Sequence, residues 1–235
     1  MFDFNAHILS GFPDGPSSLQ DSSVLLKELM GLGFKKIVCA PRYVPNKSSY
    51  ISSAEKKQKI KELEVVAKYD GVEMRLYFAN EVFLMKNIDD FVQKGEISLL
   101  GRNYVLIKLP ERGKISLQKV EEELNGLRKK GYVPILAGPE KSVFLQEDEK
   151  NIDKLSGTGA MFQCGYGSII GLNGRGAERL MKYMLERGFV DFLGTEVRRP
   201  HEEIILKFDK ASKKIKKIIG EKGFEKIMRN MEGVV

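Results

Sequence analysis

The chain has 235 residues, of which 42% are hydrophobic and 30% are charged, an ordinary composition for a globular protein. No apolar run reaches the roughly 18 residues that span a bilayer, and the N-terminus lacks the basic region and apolar core of a signal peptide. With two cysteines that form no disulfide framework, we expect a cytoplasmic protein without a transmembrane segment. The net charge of +7 would favour an anionic partner, but the surplus is spread along the chain, so we expect mainly a solvated basic surface. Since no zinc finger, helix-turn-helix or aromatic RNA-binding motif accompanies that charge, we expect no specific binding of nucleic acid.

Strand-like and helix-like segments alternate along the chain. The first apolar run ends in Asn5-Ala6-His7, and the helix predicted after it begins with Ser and Asp capping residues and ends on Gly33. Nearly continuous apolar runs such as Ile37-Val38-Cys39-Ala40 are typical of parallel strands buried on both faces. Strands are predicted at residues 2–7, 36–40, 74–80, 104–109, 133–137, 161–164 and 190–194. The main helices are predicted at residues 18–33, 53–69, 116–131 and 174–188.

Seven βα units in about 200 residues predict the α/β class, and within it a distorted (β/α)7 TIM-like barrel in a single domain. An open doubly wound sheet is the alternative, although no Gly-x-Gly-x-x-Gly follows the first strand. We expect residues 1–200 to form the barrel. Residues 201–235 are predicted as basic helices packed on it through their Ile and Leu side chains, although a basic amphipathic helix can also bind an anionic membrane.

Polar side chains follow most of the predicted strands. In α/β barrels the chemistry gathers at the carboxyl ends of the strands, so these residues are expected to meet at one mouth. A carboxylate ends the third strand and another ends the seventh, and both are expected to lie near histidine and arginine side chains at this mouth. The residues in question are Asn5, His7, Arg42, Glu81, Lys141, Glu196, Arg198 and Arg199.

Five short motifs carry a resemblance to a known family. The chain resembles the PHP (polymerase and histidinol phosphatase) superfamily, and within it the bacterial manganese-dependent tyrosine-protein phosphatases of capsular and exopolysaccharide operons. The family motifs Asp-Ile-His-x-His, Thr-Pro-His, a strand ending in Glu, Ala-His-Pro-Glu-Arg and Gly-Thr/Ser-Asp-x-His are matched in order. They stand here as Asp3-Phe4-Asn5-Ala6-His7, Ala40-Pro41-Arg42, Asn80-Glu81, Ala137-Gly138-Pro139-Glu140-Lys141 and Gly194-Thr195-Glu196-Val197-Arg198.

The resemblance implies a metal cluster, and this chain departs from it at most of the ligand positions. Arginine replaces histidine at Arg42 and Arg198, and a guanidinium has no lone pair to offer a metal. We therefore expect no metal cofactor, and we expect Glu81 and Glu196 to pair with the two arginines instead. The seven vestigial positions are Asn5, His7, Arg42, Glu81, Gly138, Glu196 and Arg198.

These departures favour a non-catalytic homologue, a pseudophosphatase linked to polysaccharide biosynthesis or its regulation, with no assigned catalytic residue. Its cationic mouth, formed by Arg42, Lys141, Arg198 and Arg199, is expected to bind a tyrosine-phosphorylated protein or another anion. One alternative is an active phosphotyrosine protein phosphatase in which His7, Glu81 and Glu196 hold one Mn, Fe or Zn ion. Another alternative is a scaffold that acts through its outer surface.

Overall fold

Parallel strands alternate with helices throughout the chain. The computed structural model describes residues 1–45 and 52–235, apart from the side chain of Ser53. In that part the strands form one sheet in the order β1-β2-β4 and a second in the order β3-β5-β6-β7-β8-β9, and every neighbouring pair is parallel. The strands are β1 Phe2–Ala6, β2 Lys36–Cys39, β3 Arg42–Tyr43, β4 Arg75–Phe78, β5 Glu81–Phe83, β6 Tyr104–Lys108, β7 Val133–Ala137, β8 Met161–Gly165 and β9 Phe192–Gly194.

The helices lie close to the predicted positions, and several begin at a side-chain cap. Ser18 Oγ accepts a hydrogen bond from the Asp21 N–H at the start of α1, and Ser52 and Glu55 form a capping box at the start of α2. Short helices α3, α5 and α6 lack a clear sequence signal. The helices are α1 Leu19–Gly31, α2 Ser53–Tyr69, α3 Ile88–Gln93, α4 Leu117–Lys129, α5 Val143–Glu147, α6 Lys150–Gly157, α7 Gly174–Glu186, α8 Glu203–Leu206 and α9 Phe208–Glu232.

The strand predicted at residues 74–80 is shorter in the structure, and a strand that the sequence did not predict follows it in the other sheet. β4 ends at Phe78, and β5 begins at Glu81 in the other sheet. Between them the Asn80 N–H donates to the Ser98 carbonyl at 2.9 Å, and Nδ2 of Asn80 donates to the Pro41 carbonyl at 3.1 Å. These bonds hold the chain where it passes from one sheet to the next.

The two sheets adjoin along β1 and β9. The rings of Phe4 and Phe192 stack at 4.1 Å, and the His7 N–H donates to the Val197 carbonyl at 2.9 Å. The parallel α/β fold of the prediction is confirmed. Closure into a seven-stranded barrel is not shown, because β4 pairs only with β2 among the described strands.

The C-terminal helices pack their apolar side chains against the α/β unit. The Phe208 ring meets Phe34 at 5.1 Å and Tyr166 at 4.8 Å between centroids, and Ile215 and Phe224 are buried. α9 is interrupted at Gly220, whose φ of 71° and ψ of 167° belong to a backbone region that glycine alone adopts readily. Among the described helices, none is long and apolar enough to cross a membrane.

Candidate functional site: a mouth of paired carboxylates and cations

Arg42 and Glu81 face each other at the start of two neighbouring strands. β3 and β5 pair with Arg42 opposite Glu81, so the register of the sheet brings the two side chains together. Nε and Nη2 of Arg42 donate to Oε2 of Glu81 at 3.0 and 2.8 Å, and the Glu81 side chain is only 1% exposed. The guanidinium also lies 5.0 Å from the centroid of the Phe83 ring. The expected pairing of Glu81 with Arg42 is therefore present.

Polar residues from the first strand reach the same place. Nδ2 of Asn5 donates to Oε1 of Gln163 at 2.9 Å and to Oε1 of Glu81 at 3.3 Å. Nδ1 of His7 lies 2.8 Å from Oδ2 of Asp14, and both Asn5 and His7 are buried. Asn5 thus acts as a hydrogen-bond donor here, whereas His7 is directed at a neighbouring carboxylate.

A second ion pair joins the ends of two other strands. Nζ of Lys141 and Oε2 of Glu196 are in direct contact, and both side chains are largely buried. Beside them, Oε1 of Glu140 accepts hydrogen bonds from the Gly165 N–H at 3.0 Å and from the Ser168 hydroxyl at 2.6 Å. Lys141, expected to contact an anion, is thus engaged by a carboxylate of the protein itself.

The expected pairing of Glu196 with Arg198 is wrong. Glu196 has a φ of +58°, an uncommon backbone conformation for a side chain of this size, and it pairs with Lys141. Two residues on, the Arg198 N–H donates to Oε1 of Glu202 at 2.8 Å. Within the described residues, the side chains of Arg198 and Arg199 make no ion pair.

Lys108 is a buried charged residue of the mouth that sequence reasoning missed. It ends β6 and is 2% exposed, with Nζ 3.2 Å from Oε1 of Glu111. A Cβ atom added to Gly138 would lie 3.1 Å from Nζ of Lys108 and 3.0 Å from Oε1 of Glu196. The ammonium group therefore stands in the space toward which a larger side chain at position 138 would point. A lysine at the end of the apolar run Tyr-Val-Leu-Ile-Lys was the available signal.

These charges decide which carboxyl groups stay ionised. Burial acts to raise the pKa of Glu81, but the positive charges around it, Lys108 among them, hold the pKa below its usual value. Burial is likewise outweighed at Glu196, where Lys141 and Lys108 lower the pKa. For Glu140, burial and the neighbouring charge of Glu196 both raise the pKa. The mouth thus stabilises two carboxylates and disfavours the ionisation of a third.

Two cavities open at this mouth, and Arg198 lines both. The first has a volume of about 330 Å³, and its walls combine three arginines with apolar side chains. The second, of about 410 Å³, includes Lys141 and Glu196. The described lining of the first cavity is Pro13, Asp14, Gly15, Arg42, Val44, Phe83, Arg198 and Arg199.

Comparison with solved structures assigns the fold to a class. Crystal structures of YwqE from Bacillus subtilis and CpsB from Streptococcus pneumoniae, described as unique metal-dependent tyrosine phosphatases, include a chain that matches with a TM-score of 0.89 at 20% identity. The match covers 100% of this chain and 94% of that one. A histidinol phosphate phosphatase from Lactococcus lactis matches with a TM-score of 0.57 at 14% identity, over 92% of this chain and 93% of the other. The molecule thus has an α/β fold similar to that of PHP and TIM-like hydrolases.

Comparison of sequences then gives the family. The family described as "Capsular polysaccharide synthesis, CpsB/CapC" matches residues 1–235, and the chain belongs to this family. The tyrosine-protein phosphatase YwqE of Bacillus subtilis is 25% identical over 204 residues, which cover 83% of this chain and 76% of that protein. The tyrosine-protein phosphatase CpsB of Streptococcus pneumoniae is 22% identical over 205 residues, 84% of this chain and 82% of that protein.

The expectation of no metal cofactor is wrong. Relatives with this fold are described as metal-dependent tyrosine phosphatases. One observation in the mouth fits a cation: four buried oxygens have no hydrogen-bond partner among the described residues. Hard divalent cations prefer such oxygen ligands. The four atoms are Oδ1 of Asn5, Oδ1 of Asp14, Oε2 of Glu140 and Oε1 of Glu196.

The three residues named as the alternative metal ligands are nevertheless directed at other residues. His7 faces Asp14, Glu81 is held by Arg42, and Glu196 contacts Lys141. In residues 1–45 and 52–235 no group of three or more His, Cys, Asp or Glu side chains is arranged to hold a metal ion. A metal held by His7, Glu81 and Glu196 would therefore compete with Asp14, Arg42 and Lys141 for these side chains.

Replacing Arg42 with methionine is expected to destabilise the fold, because it leaves the buried Glu81 carboxylate without its main partner. We expect the free energy of unfolding at pH 7 to fall by about 2–5 kcal/mol. The pKa of Glu81 is depressed in the folded state, so its stabilising contribution is present above the unfolded-state pKa and is lost as the pH falls. The two proteins should therefore converge in stability at acid pH.

Urea denaturation of both proteins between pH 3 and pH 7 measures this effect. The matched control is the double variant Arg42→Met/Glu81→Gln, which removes the charge as well as its partner and should recover part of the loss. Equal stability of Arg42→Met and the wild type at pH 7 would contradict the assignment.

Replacing Lys108 with methionine is expected to increase the affinity of the mouth for a divalent cation. The substitution removes a buried positive charge near Glu81 and Glu196 and keeps a side chain of similar length. We expect the affinity for Mn²⁺, measured by isothermal titration calorimetry, to rise by about tenfold or more. Lys182→Met, at an exposed position on α7, is the control and should leave the affinity unchanged. Unchanged Mn²⁺ binding by Lys108→Met would show that its charge does not act on the cation site.

Proposed function

We propose that this protein recognises a tyrosine-phosphorylated protein in capsular or exopolysaccharide synthesis, and that it binds the phosphate at the cationic mouth with slow or no hydrolysis. The observation that carries the proposal is the cavity of about 330 Å³ that Arg42, Arg198 and Arg199 line together with Phe83. Membership of the capsular polysaccharide synthesis family supports the biological setting.

The cavity offers both chemistries that a phosphotyrosine needs. A guanidinium binds phosphate through two parallel hydrogen bonds, and Arg198 and Arg199 have no ion pair within the described residues to compete with a ligand. Phe83 is 40% exposed and lies under the Arg42 guanidinium, so an aromatic ring can pack beside it. Lys141 adds positive charge in the adjoining cavity, although Glu196 partly neutralises it.

Slow hydrolysis follows from how the carboxylates are held. Glu81 and Glu196, the acidic residues retained at the family's ligand positions, already contact Arg42 and Lys141. Both oxygens of Glu81 accept hydrogen bonds within the protein, and Oε2 of Glu196 is engaged by Lys141, whereas Oε1 of Glu196 has no partner among the described residues. As architecture for this function we propose a distorted (β/α)7 barrel formed by residues 1–200, with residues 201–235 packed on it.

The second candidate is an active metal-dependent phosphatase with a reduced site of His7, Glu81 and Glu196. Two observations favour it: YwqE and CpsB are described as metal-dependent tyrosine phosphatases, and four buried oxygens of the mouth lack partners in the described part of the chain. A bound metal would supply a Lewis acid and an activated water. The chain's own contribution would be to hold the phosphate with Arg198 and Arg199.

A fluorescent phosphotyrosine peptide tests the proposal directly. We expect wild-type protein to bind it more tightly than the unphosphorylated peptide, and Arg198→Gln/Arg199→Gln to weaken binding by about tenfold or more, since charged hydrogen bonds are worth roughly 1.5–3 kcal/mol each. Arg229→Gln, at an exposed position on α9, is the control and should bind like the wild type.

Phosphate release from the same peptide, with and without added Mn²⁺, separates the two candidates. Binding without appreciable release supports recognition as the function. Rapid release that requires Mn²⁺ and is lost in His7→Ala supports the active phosphatase. Equal binding of the phosphorylated and unphosphorylated peptides would contradict both.

A further inference from the structure

Away from the mouth, β4 is the edge strand of the first sheet, and no described strand pairs with its outer side. Arg75 and Ala79 direct their N–H groups at β2, where the carbonyls of Lys35 and Cys39 accept them at 2.9 and 3.1 Å. The Asn80 N–H points the opposite way, to the Ser98 carbonyl. Since backbone polar groups alternate in direction along a strand, those of Leu76 and Phe78 also face away from β2.

No partner for these outward groups is found in the described part of the chain. β4 pairs with β2 alone, and no described hydrogen bond reaches the backbone N–H or carbonyl groups of Leu76 and Phe78 on the outer side. An unpaired strand edge is a template for another extended chain, which natural proteins usually cover or protect with charge. Among the described residues, the Ser98 segment forms hydrogen bonds with this side of the chain at Asn80.

A groove runs along this open edge. It has a volume of about 520 Å³, and α2 forms its other wall. The half-buried side chains of Leu76, Phe78 and Ile60 form an apolar floor. A second groove of about 490 Å³ continues past Leu76 and Glu64, which line both. An extended chain laid along β4 would therefore find apolar contacts for alternate side chains.

The charge at the groove indicates the chemistry of its occupant. Lys57 and Lys61 lie one turn apart on the groove side of α2, both are exposed, and neither has an ion pair within the described residues. Lys56 closes one end, where its Nζ donates to the Glu96 carbonyl at 2.8 Å and to Ser98 Oγ at 3.2 Å. Glu64 is the acidic residue of this lining, so the groove carries a net positive charge.

We propose that the β4 edge is a docking site for an extended acidic segment of a partner protein, which adds to the sheet as a new strand. Its backbone pairs with Leu76 and Phe78, its apolar side chains pack on the groove floor, and its carboxylates face Lys57 and Lys61. The site is separate from the phosphate-binding mouth. It would let the protein hold a partner by one segment while the mouth engages another.

The test uses a nine-residue peptide with blocked ends and a fluorescent label. Its odd positions, which share one face of a strand, carry glutamate at both ends and valine at the three positions between, and its even positions carry serine. We expect saturable binding by fluorescence anisotropy, weakened by about tenfold or more in Lys57→Glu/Lys61→Glu and weakened by rising salt. The matched control is Lys119→Glu/Lys129→Glu, which reverses two exposed lysines of α4 and should bind like the wild type.

Two further arms locate the site and identify the occupant. In NMR spectra of the full chain, the amide signals of Leu76 and Phe78 should shift on titration, and a peptide N-methylated at alternate residues should not bind. Equal binding of the same peptide with lysine in place of glutamate, or shifts confined to other strands, would overturn the proposal. Self-association that the glutamate peptide cannot displace, seen by sedimentation velocity, would assign the edge to a second copy of the chain and would also overturn it.

Discussion

The mouth of this protein depends on the compensation of buried negative charge. Glu81, Glu140 and Glu196 are brought together where the strands end, and their side chains are almost completely removed from water. Isolated carboxylates are costly in such a place, so each needs a positive charge, a set of hydrogen bonds or a proton. Here Arg42 forms an ion pair with Glu81, and Lys141 forms one with Glu196. Glu140 instead accepts hydrogen bonds, and its raised pKa favours the neutral form.

The same constraint bears on how a metal ion could bind at the mouth. Relatives with this fold are described as metal-dependent, and a bound cation is another way to compensate buried acidic groups. This chain supplies part of that positive charge from its own residues, Arg42, Lys108 and Lys141, and leaves four buried oxygens without a described partner. Arg198 and Arg199 add cationic side chains without an ion pair in the described part of the chain, and the proposed binding of a phosphate rests on them.

Sequence reasoning predicted the parallel α/β class because parallel strands that are buried on both faces appear in the sequence as apolar runs. These runs alternate with helices that end at glycine. It also anticipated the Arg42–Glu81 pair, since both residues follow strands that end at one edge. It predicted Arg198 as the partner of Glu196, whereas the partner is Lys141. The direction of the Glu196 side chain depends on the backbone of its loop, in which Glu196 has a positive φ, and the sequence does not indicate that conformation. Lys108 escaped notice because a lysine closing a strand is usually exposed. The open edge of β4 depends on which strand pairs with which, and periodicity carries no such information.

The most direct test of charge compensation is to measure the pKa values of the glutamates in the mouth by carboxyl ¹³C NMR titration. Glu196, beside Lys141 and Lys108, should titrate below the ordinary range for glutamate, and Glu140 should titrate above it. That separation should shrink when Lys141 is replaced by methionine, because Glu196 then loses its ion pair. Ordinary and equal pKa values for Glu140 and Glu196 in the wild type would contradict the charge-compensated mouth.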